Sequence, residues 1–134
     1  MILVFDSSAV IALLRDEKGA ARVEGLLDES GNVRLMHAVN VCEIYYGFRR
    51  ESGDDEAQKA LEQVSSMGIE VREDMDTSFW QRAGQYKADL AGISLADCFC
   101  AALAARTGGE LVTTDRHEFG KVAEQGLCRV RFVR

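Results

Sequence analysis

Short apolar or β-branched runs alternate with helical segments along the whole chain, and this alternation constrains the fold more than any other feature. The runs typical of strands are Met1–Phe5, Val33–Met36, Ile69–Arg72, Leu111–Thr114 and Leu127–Val133. The first run, MILVF, is continuously apolar, as in a strand buried on both faces. Because helices separate the strands, the strands should pair in parallel and the helices should cover both faces. We therefore predict an α/β three-layer sandwich with a central parallel sheet of about five strands.

The segments between the strands have helical patterns of apolar residues. We predict one helix after Asp6 and others over residues 20–29, 37–50, 56–67, 76–91, 95–106 and 119–125, with a polar connection over 51–55. Ser7 and Ser8 are candidate caps of the first helix, and Ser94 is the candidate cap of the helix that begins at Leu95. The pair Gly108-Gly109 ends that helix.

Length and composition indicate one domain spanning residues 1–134. The chain is 47% hydrophobic, which is enough for a sizeable core. Lysine and arginine number 16 against 22 acidic residues, and 16 − 22 gives a net charge of −6. This balance argues against a broad basic surface for nucleic acid. It still allows a carboxylate site that meets phosphate through a metal ion, because the ion reverses the local charge.

Cysteine and histidine are too sparse for a zinc site. The cysteines have no C-x-x-C spacing, and His37 and His117 are the only histidines. Three of the cysteines, Cys42, Cys98 and Cys100, lie in apolar segments that are predicted to be helical. We therefore predict that they are buried thiols in a reducing compartment. No apolar run reaches transmembrane length, and no basic region precedes the N-terminal apolar run, so we expect a soluble cytoplasmic protein.

Four acidic residues are placed so that a parallel sheet would bring them together. Asp6 and Asp115 each follow a predicted strand, and parallel sheets bind ligands at the carboxyl ends of their strands. Glu43 and Asp97 lie on helices that could reach the same edge, with Asn40 and Gly47 on the helical face of Glu43. Three of these acids also have a structural explanation: Asp97 as a helix N-terminal acid, Asp115 as a turn former and Glu43 in a salt bridge.

Clustered carboxylates repel one another, and a divalent cation relieves that repulsion. Oxygen ligands without clustered histidine or cysteine favour Mg²⁺ or Mn²⁺ over zinc. Such an ion activates water and stabilises charge on a phosphate. The sequence supplies no histidine pair for metal-independent transfer to a 2′-hydroxyl, so hydrolysis by activated water is favoured. It leaves open whether one or two ions bind.

Four motifs carry a resemblance to a known family. They are VFDSSAVIALL around Asp6, HAVNVCEIYYG around Glu43, ISLADCFCAALA around Asp97 and LVTTDRHEFGKV around Asp115. In order, spacing and flanking residues the chain resembles a PIN domain, and more narrowly a VapC-type toxin ribonuclease, over essentially its whole length.

The resemblance implies a five-stranded parallel sheet, Mg²⁺ or Mn²⁺, RNA cleavage and a cognate VapB-like antitoxin. It assigns Asp6, Glu43, Asp97 and Asp115 to the catalytic, metal-binding site, and it implies supporting hydroxyl groups on Ser7 and Thr114.

Other classes of protein fit the sequence less well or remain open. A haloacid dehalogenase-type phosphotransferase needs an aspartate where Ser8 stands, and a receiver domain needs acidic residues that VFDSS and VREDMD do not supply. A metal-dependent DNA nuclease and a catalytically silent PIN-like binding module remain as alternatives.

Two surfaces of the predicted fold suggest protein partners. The first two helices present six apolar residues to which an amphipathic antitoxin helix could bind: Val10, Leu13, Leu14, Val23, Leu26 and Leu27. A following antitoxin segment could place an arginine or lysine among the acids. Two further helices carry aromatic residues, which are enriched in interface cores and, with the family resemblance, favour a homodimer: Tyr45, Tyr46, Phe48, Phe79, Trp80 and Tyr86. The same aromatic residues could instead fill the core.

Overall fold

Strands and helices alternate in the computed structural model, which describes all of residues 1–134. The strands are β1 (Ile2–Phe5), β2 (Val33–His37), β3 (Glu70–Arg72), β4 (Glu110–Thr113) and β5 (Arg129–Phe132). The helices are α1 (Ser7–Leu14), α2 (Ala20–Asp28), α3 (Ala38–Ser52), α4 (Asp54–Ser66), α5 (Thr77–Asp89), α6 (Leu95–Thr107) and α7 (Arg116–Glu124). Each predicted strand and helix is present, with boundaries shifted by a few residues.

The strands form one fully parallel sheet in the order β3-β2-β1-β4-β5. From β1 the chain builds outward through β2 and β3, and it then returns to the other side of β1 to add β4 and β5. The strand order therefore reverses between β1 and β4, where Phe5 pairs with Val112. Ligand sites of parallel sheets lie at the carboxyl end of such a reversal.

Two hydrophobic cores cover the two faces of the sheet, which confirms the three-layer architecture. Side chains alternate across β1, so Leu3 and Phe5 enter one core and Val4 enters the other. Helices α1 to α4 pack on the face of Phe5, and α5 to α7 pack on the face of Val4. Burial of β1 on both faces explains why its sequence is continuously apolar.

Several local predictions are wrong in detail. The polar connection predicted over residues 51–55 is reduced to Gly53, whose φ of +88° reverses the chain between α3 and α4. Helix α7 begins at Arg116 because the side chain of Asp115 caps it. The cap of α1 is Asp6, whose carboxylate accepts from the Ala9 N–H, in place of Ser7 or Ser8. Ser94 caps α6 as predicted.

Burial of the cysteines differs from the prediction at one position. Cys98 and Cys100 are buried, but Cys42 is exposed. Asn40 and Ile44 are the buried residues of α3, and Cys42 lies two residues from each, which places it on the opposite side of the helix. None of the helices has the length and apolar character required to cross a membrane.

Candidate active site

Asp6 lies at the C-terminal end of β1 and is only 2% exposed. Its Oδ1 accepts from the Ala9 N–H at 2.9 Å and the Ser8 hydroxyl at 2.8 Å, and its Oδ2 accepts from the Thr113 hydroxyl at 2.7 Å. Burial raises the pKa of this carboxyl to about 6, with a further increase from the charge of Glu43, although these hydrogen bonds lower it. Ionised Asp6 is therefore energetically costly in the absence of a cation.

Thr113 connects Asp6 to Asp115 across the point where the strand order reverses. The Thr113 hydroxyl donates to Asp6 and accepts from the backbone N–H of Asp115 at 2.9 Å. The Asp115 Oδ1 accepts from the Glu118 N–H at 3.0 Å, and Oδ2 has no hydrogen-bond partner within the protein. Asp6 and Asp115 are thus joined through one hydroxyl group.

Glu43 lies on α3 beside the first turn of α1. Its Oε1 accepts from the Ser7 hydroxyl at 2.9 Å and from the Asn40 amide at 3.2 Å. No lysine or arginine forms a salt bridge with it, so the structural explanation considered from the sequence does not apply. Glu43 is held by neutral donors and has no salt-bridge partner in the protein.

Asp97 lies in the first turn of α6 and is 7% exposed. Its backbone N–H is bonded to Ser94, and its carboxylate has no hydrogen-bond partner in the protein. Asn40 donates to the carbonyl oxygen of Ala96 at 3.2 Å as well as to Glu43, which links the neighbourhood of Asp97 to α3. Ala101 and Ala104, one and two helical turns beyond Asp97, are fully buried in the core.

All four acids therefore lie at the carboxyl edge of the sheet, although they are not equally connected. Thr113 joins Asp6 to Asp115, Ser7 joins the start of α1 to Glu43, and Asp97 is connected only through the backbone of Ala96. With the side chains in these positions, no group of three or more His, Cys, Asp or Glu residues is arranged to hold a metal ion. The metal-binding role of the acids therefore stays a prediction.

The chemistry of the donors at this edge fits a hard divalent cation. Carboxylate and hydroxyl oxygens are the available ligands, and the amide Oδ1 of Asn40 is buried without a hydrogen-bond partner. Burial raises the pKa of the Cys100 thiol, and the charge of Asp6 raises it further, so this neighbouring sulfur stays protonated. His37 accepts from the Val39 N–H through Nδ1 and donates to the Asp74 carbonyl oxygen through Nε2, so neither ring nitrogen is free.

Three residues of the site were missed or misassigned in the sequence. The hydroxyl bonded to Asp6 belongs to Thr113, whereas the sequence analysis selected Thr114, which contributes its backbone N–H to Ser8. Ser8 was considered only as a cap, and Asn40 only as a neighbour of Glu43. Adjacent strand residues point to opposite faces, so only the register of β4 beside β1 decides between Thr113 and Thr114.

We expect Thr113→Val to destabilise the protein by about 1–3 kcal/mol, because it removes the donor to buried Asp6 and the acceptor for the Asp115 N–H. Urea unfolding measures this loss. Thr114→Val is the matched control, since the Thr114 side chain has no hydrogen bond, and it should cost less. Equal losses in the two variants would contradict the role assigned to Thr113.

The family model described as "PIN domain" matches residues 3–125. No curated protein sequence gives a significant match.

Solved structures resemble the chain over nearly its full length at low identity. VapBC-1 from nontypeable Haemophilus influenzae has a TM-score of 0.75 at 18% identity, covering 99% of this chain and 98% of that one. VapBC2 from Rickettsia felis, bound to a promoter DNA fragment, has a TM-score of 0.77 at 18% identity, with 98% of each chain covered. VapC20 from Mycobacterium tuberculosis, described as a sarcin-ricin loop cleaving toxin, has a TM-score of 0.72 at 16% identity, covering 90% and 94%.

These structures share the fold of this chain, and the family model covers nearly all of its sequence, including the four acids at the carboxyl edge of the sheet. The chain belongs to the PIN domain family.

Proposed function

We propose that this chain is a metal-dependent endoribonuclease that hydrolyses RNA phosphodiesters and acts as the toxin of a toxin–antitoxin pair. The observation that carries the proposal is the group of acids at the strand reversal, called the acid cluster: Asp6, Glu43, Asp97 and Asp115. Thr113 joins Asp6 to Asp115, and Ser7 holds Glu43 beside them. The resemblance to VapBC structures and to a toxin that cleaves the sarcin-ricin loop supports RNA as the substrate.

Asp6, Glu43, Asp97 and Asp115 would hold Mg²⁺ or Mn²⁺, as the all-oxygen donor set favours. When bound, such an ion supplies a water of lowered pKa and stabilises negative charge on the scissile phosphate. It would also offset the repulsion between Asp6 and Glu43 that contributes to the raised pKa of Asp6.

The protein's own residues orient these carboxylates before any ligand arrives. Ser8 and Thr113 hold both oxygens of Asp6, and Ser7 holds one oxygen of Glu43. Asp97 and the Oδ2 of Asp115 have no protein donor, so they are free to accept from a ligand or from water. Hydroxyl groups thus fix Asp6 and Glu43, and the oxygens without a protein donor, on Asp97 and Asp115, are left for chemistry.

A direct test compares cleavage of single-stranded RNA and single-stranded DNA by the purified chain with Mg²⁺ and with EDTA. We expect RNA to be cut internally with Mg²⁺ and to stay intact with EDTA. Preferential cleavage of DNA would instead favour the DNA nuclease alternative. If a folded preparation supplied with Mg²⁺ or Mn²⁺ cleaves neither RNA nor DNA, the catalytically silent binding module is favoured.

The antitoxin part of the proposal rests on the apolar surface of α1 and α2. Leu13 and Leu14 remain partly exposed, and Leu13, Leu27 and Met67 form the apolar part of the lining of a cavity of about 420 Å³. The polar part of that lining is Glu24, Asp28, Arg34 and Ser66. An amphipathic helix fits such a groove, and a basic residue following it could pair with the acid cluster.

Co-expression with the product of the neighbouring reading frame should give a complex with suppressed nuclease activity. A neighbouring product that neither binds nor inhibits would reject the toxin–antitoxin role and leave a stand-alone PIN nuclease.

A homodimer is also proposed, on the exposure of aromatic residues on α3 and α5. Tyr46 is 44% exposed and Trp80 is 47% exposed, whereas Phe79 is buried in the core. Large exposed aromatic side chains are enriched at interfaces. Light scattering at micromolar concentration distinguishes the dimer from a monomer.

A further inference from the structure

A cavity of about 440 Å³ beside the C-terminal end of β5 is lined by four cationic residues and by no acidic one. The cations, together called the edge patch, are Lys18, Arg22, Arg116 and Arg134. All four are exposed, and none forms a salt bridge with aspartate or glutamate. In a chain with a net charge of −6, the side chains of the edge patch are a local concentration of positive charge without salt-bridge partners.

Arg116 is held in position within the edge patch. Its Nε donates to the backbone carbonyl oxygen of Arg134 at 2.9 Å, and its guanidinium carbon lies 4.7 Å from the centre of the Phe132 ring. The two terminal nitrogens have no protein acceptor. A guanidinium fixed in this way can bind a phosphate through two parallel hydrogen bonds with little further loss of freedom.

The N-terminus of α2 adds to the positive potential of the same cavity. Gly19 precedes α2 at a φ of +103° and gives it no side-chain cap. It also packs against β5, because a Cβ at Gly19 would lie 2.6 Å from the carbonyl oxygen of Val133. Glycine therefore brings the positive end of the α2 dipole to the edge patch.

The edge patch lies directly beside the acid cluster. Arg116 follows Asp115 in the chain, and the Val133 N–H donates to the carbonyl oxygen of Thr113 at 2.9 Å. Thr113 is the residue that joins Asp6 to Asp115. The C-terminal end of β5 and the N-termini of α2 and α7 therefore meet at the same sheet edge as the carboxylates.

We propose that the edge patch binds the phosphate backbone of the RNA strand that flanks the cleaved bond, an inference that rests on the proposed nuclease function. The acid cluster and the net charge both repel a polyanion, so a substrate with its scissile phosphate at the carboxylates needs cations outside the cluster. The edge patch supplies them next to Asp115. It has no base-reading geometry, so it positions the strand without selecting its sequence.

Fluorescence anisotropy of a 12-nucleotide single-stranded RNA, measured in EDTA over a range of salt concentrations, tests this inference in the full chain. Each phosphate contact contributes about 0.7 to the slope of log affinity against log salt for a single strand. The triple variant Lys18→Gln/Arg22→Gln/Arg116→Gln should therefore lose about 2 from that slope and bind more weakly. Arg22→Gln alone should lose about 0.7 and provides the test if the triple variant does not fold.

Arg129→Gln is the matched control. Arg129 is an exposed cation on the same strand, but it lies at the amino end of β5 and donates to the carbonyl oxygen of Gly108. This variant should keep the wild-type slope. If the wild type cleaves RNA and the triple variant keeps its slope and affinity, the inference about the edge patch is overturned and the proposed nuclease function is unaffected. The same holds if the triple variant loses only the binding of the antitoxin. A wild type that neither binds nor cleaves RNA would overturn the proposed function as well.

Discussion

Asp6→Asn is expected to abolish RNA cleavage and, in the same variant, to stabilise the metal-free protein by up to about 3 kcal/mol at pH 7.5. The carboxylate is buried beside Glu43, and its pKa is raised from 3.8 to about 6. Asparagine has the same shape and carries no charge, and its Oδ1 can still cap α1. Its Nδ2 replaces the oxygen that accepts from Thr113, and the loss of this bond offsets part of the gain. The variant therefore removes an electrostatic cost of the site together with its chemistry.

The sign of the pH dependence follows from the raised pKa. The native state binds the Asp6 proton more tightly than the unfolded chain, so its contribution to stability is complete below pH 3.8 and is lost as pH rises through about 6. The wild type should therefore become less stable relative to Asp6→Asn as the pH rises. Comparing the two proteins cancels the titration of the groups that do not interact with the Asp6 charge.

Urea unfolding in EDTA at pH 4 and pH 7.5 measures this difference. Asp16→Asn is a suitable control, because Asp16 is exposed and occupies a left-handed position, φ +51°, that asparagine also accepts. The control should stay close to the wild type at both pH values. An Asp6→Asn protein that is less stable than the wild type at pH 7.5 would show that ionised Asp6 stabilises the fold.

Asp97→Asn is expected to lower Mg²⁺-dependent RNA cleavage by about 100-fold or more with little change in stability. The Asp97 carboxylate has no hydrogen-bond partner in the protein, so the substitution breaks no contact. Its backbone N–H keeps the bond to Ser94 that begins α6. A large loss of activity in a fully folded protein would assign the carboxylate to the chemistry.

Single-turnover cleavage at saturating Mg²⁺ is the appropriate measurement, accompanied by thermal unfolding. Asp28→Asn removes an exposed carboxylate at the end of α2, on the opposite edge of the sheet, and should leave the rate unchanged. Undiminished cleavage by Asp97→Asn would remove Asp97 from the proposed site and leave the roles of Asp6, Glu43 and Asp115 open.

These two variants separate what holds the site together from what it does. Asp6 has every oxygen bonded by the protein and is buried, whereas Asp97 has no protein partner. Stability should therefore respond to Asp6 and barely respond to Asp97, although both are needed for cleavage. Removal of a buried charge that function requires commonly stabilises a protein at the expense of its activity.

The sequence alone determined the order of strands and helices, because the period of its apolar residues reports which faces are buried. The continuously apolar run before Asp6 is too short for a helix and is typical of a strand buried on both faces. The alternation of elements then required a parallel sheet, and a parallel sheet brings Asp6 and Asp115 to one edge. The positions of these acids were therefore predictable without any knowledge of side-chain contacts.

Tertiary structure decided the contacts that depend on register and on elements distant in sequence. Thr113 bonds Asp6, and Thr114 does not, because β4 lies beside β1 with Val112 opposite Phe5. Cys42 is exposed because the buried side of α3 contains Asn40 and Ile44.

The edge patch is the clearest case of a feature that only the fold creates. Lys18, Arg22, Arg116 and Arg134 are dispersed over nearly the whole chain, and the net charge of −6 argued against a basic surface. Net charge is a sum over the chain and carries no information about position. The cations meet because α2 and α7 both begin where β5 ends, and that proximity is set by the packing of the sheet and its helices.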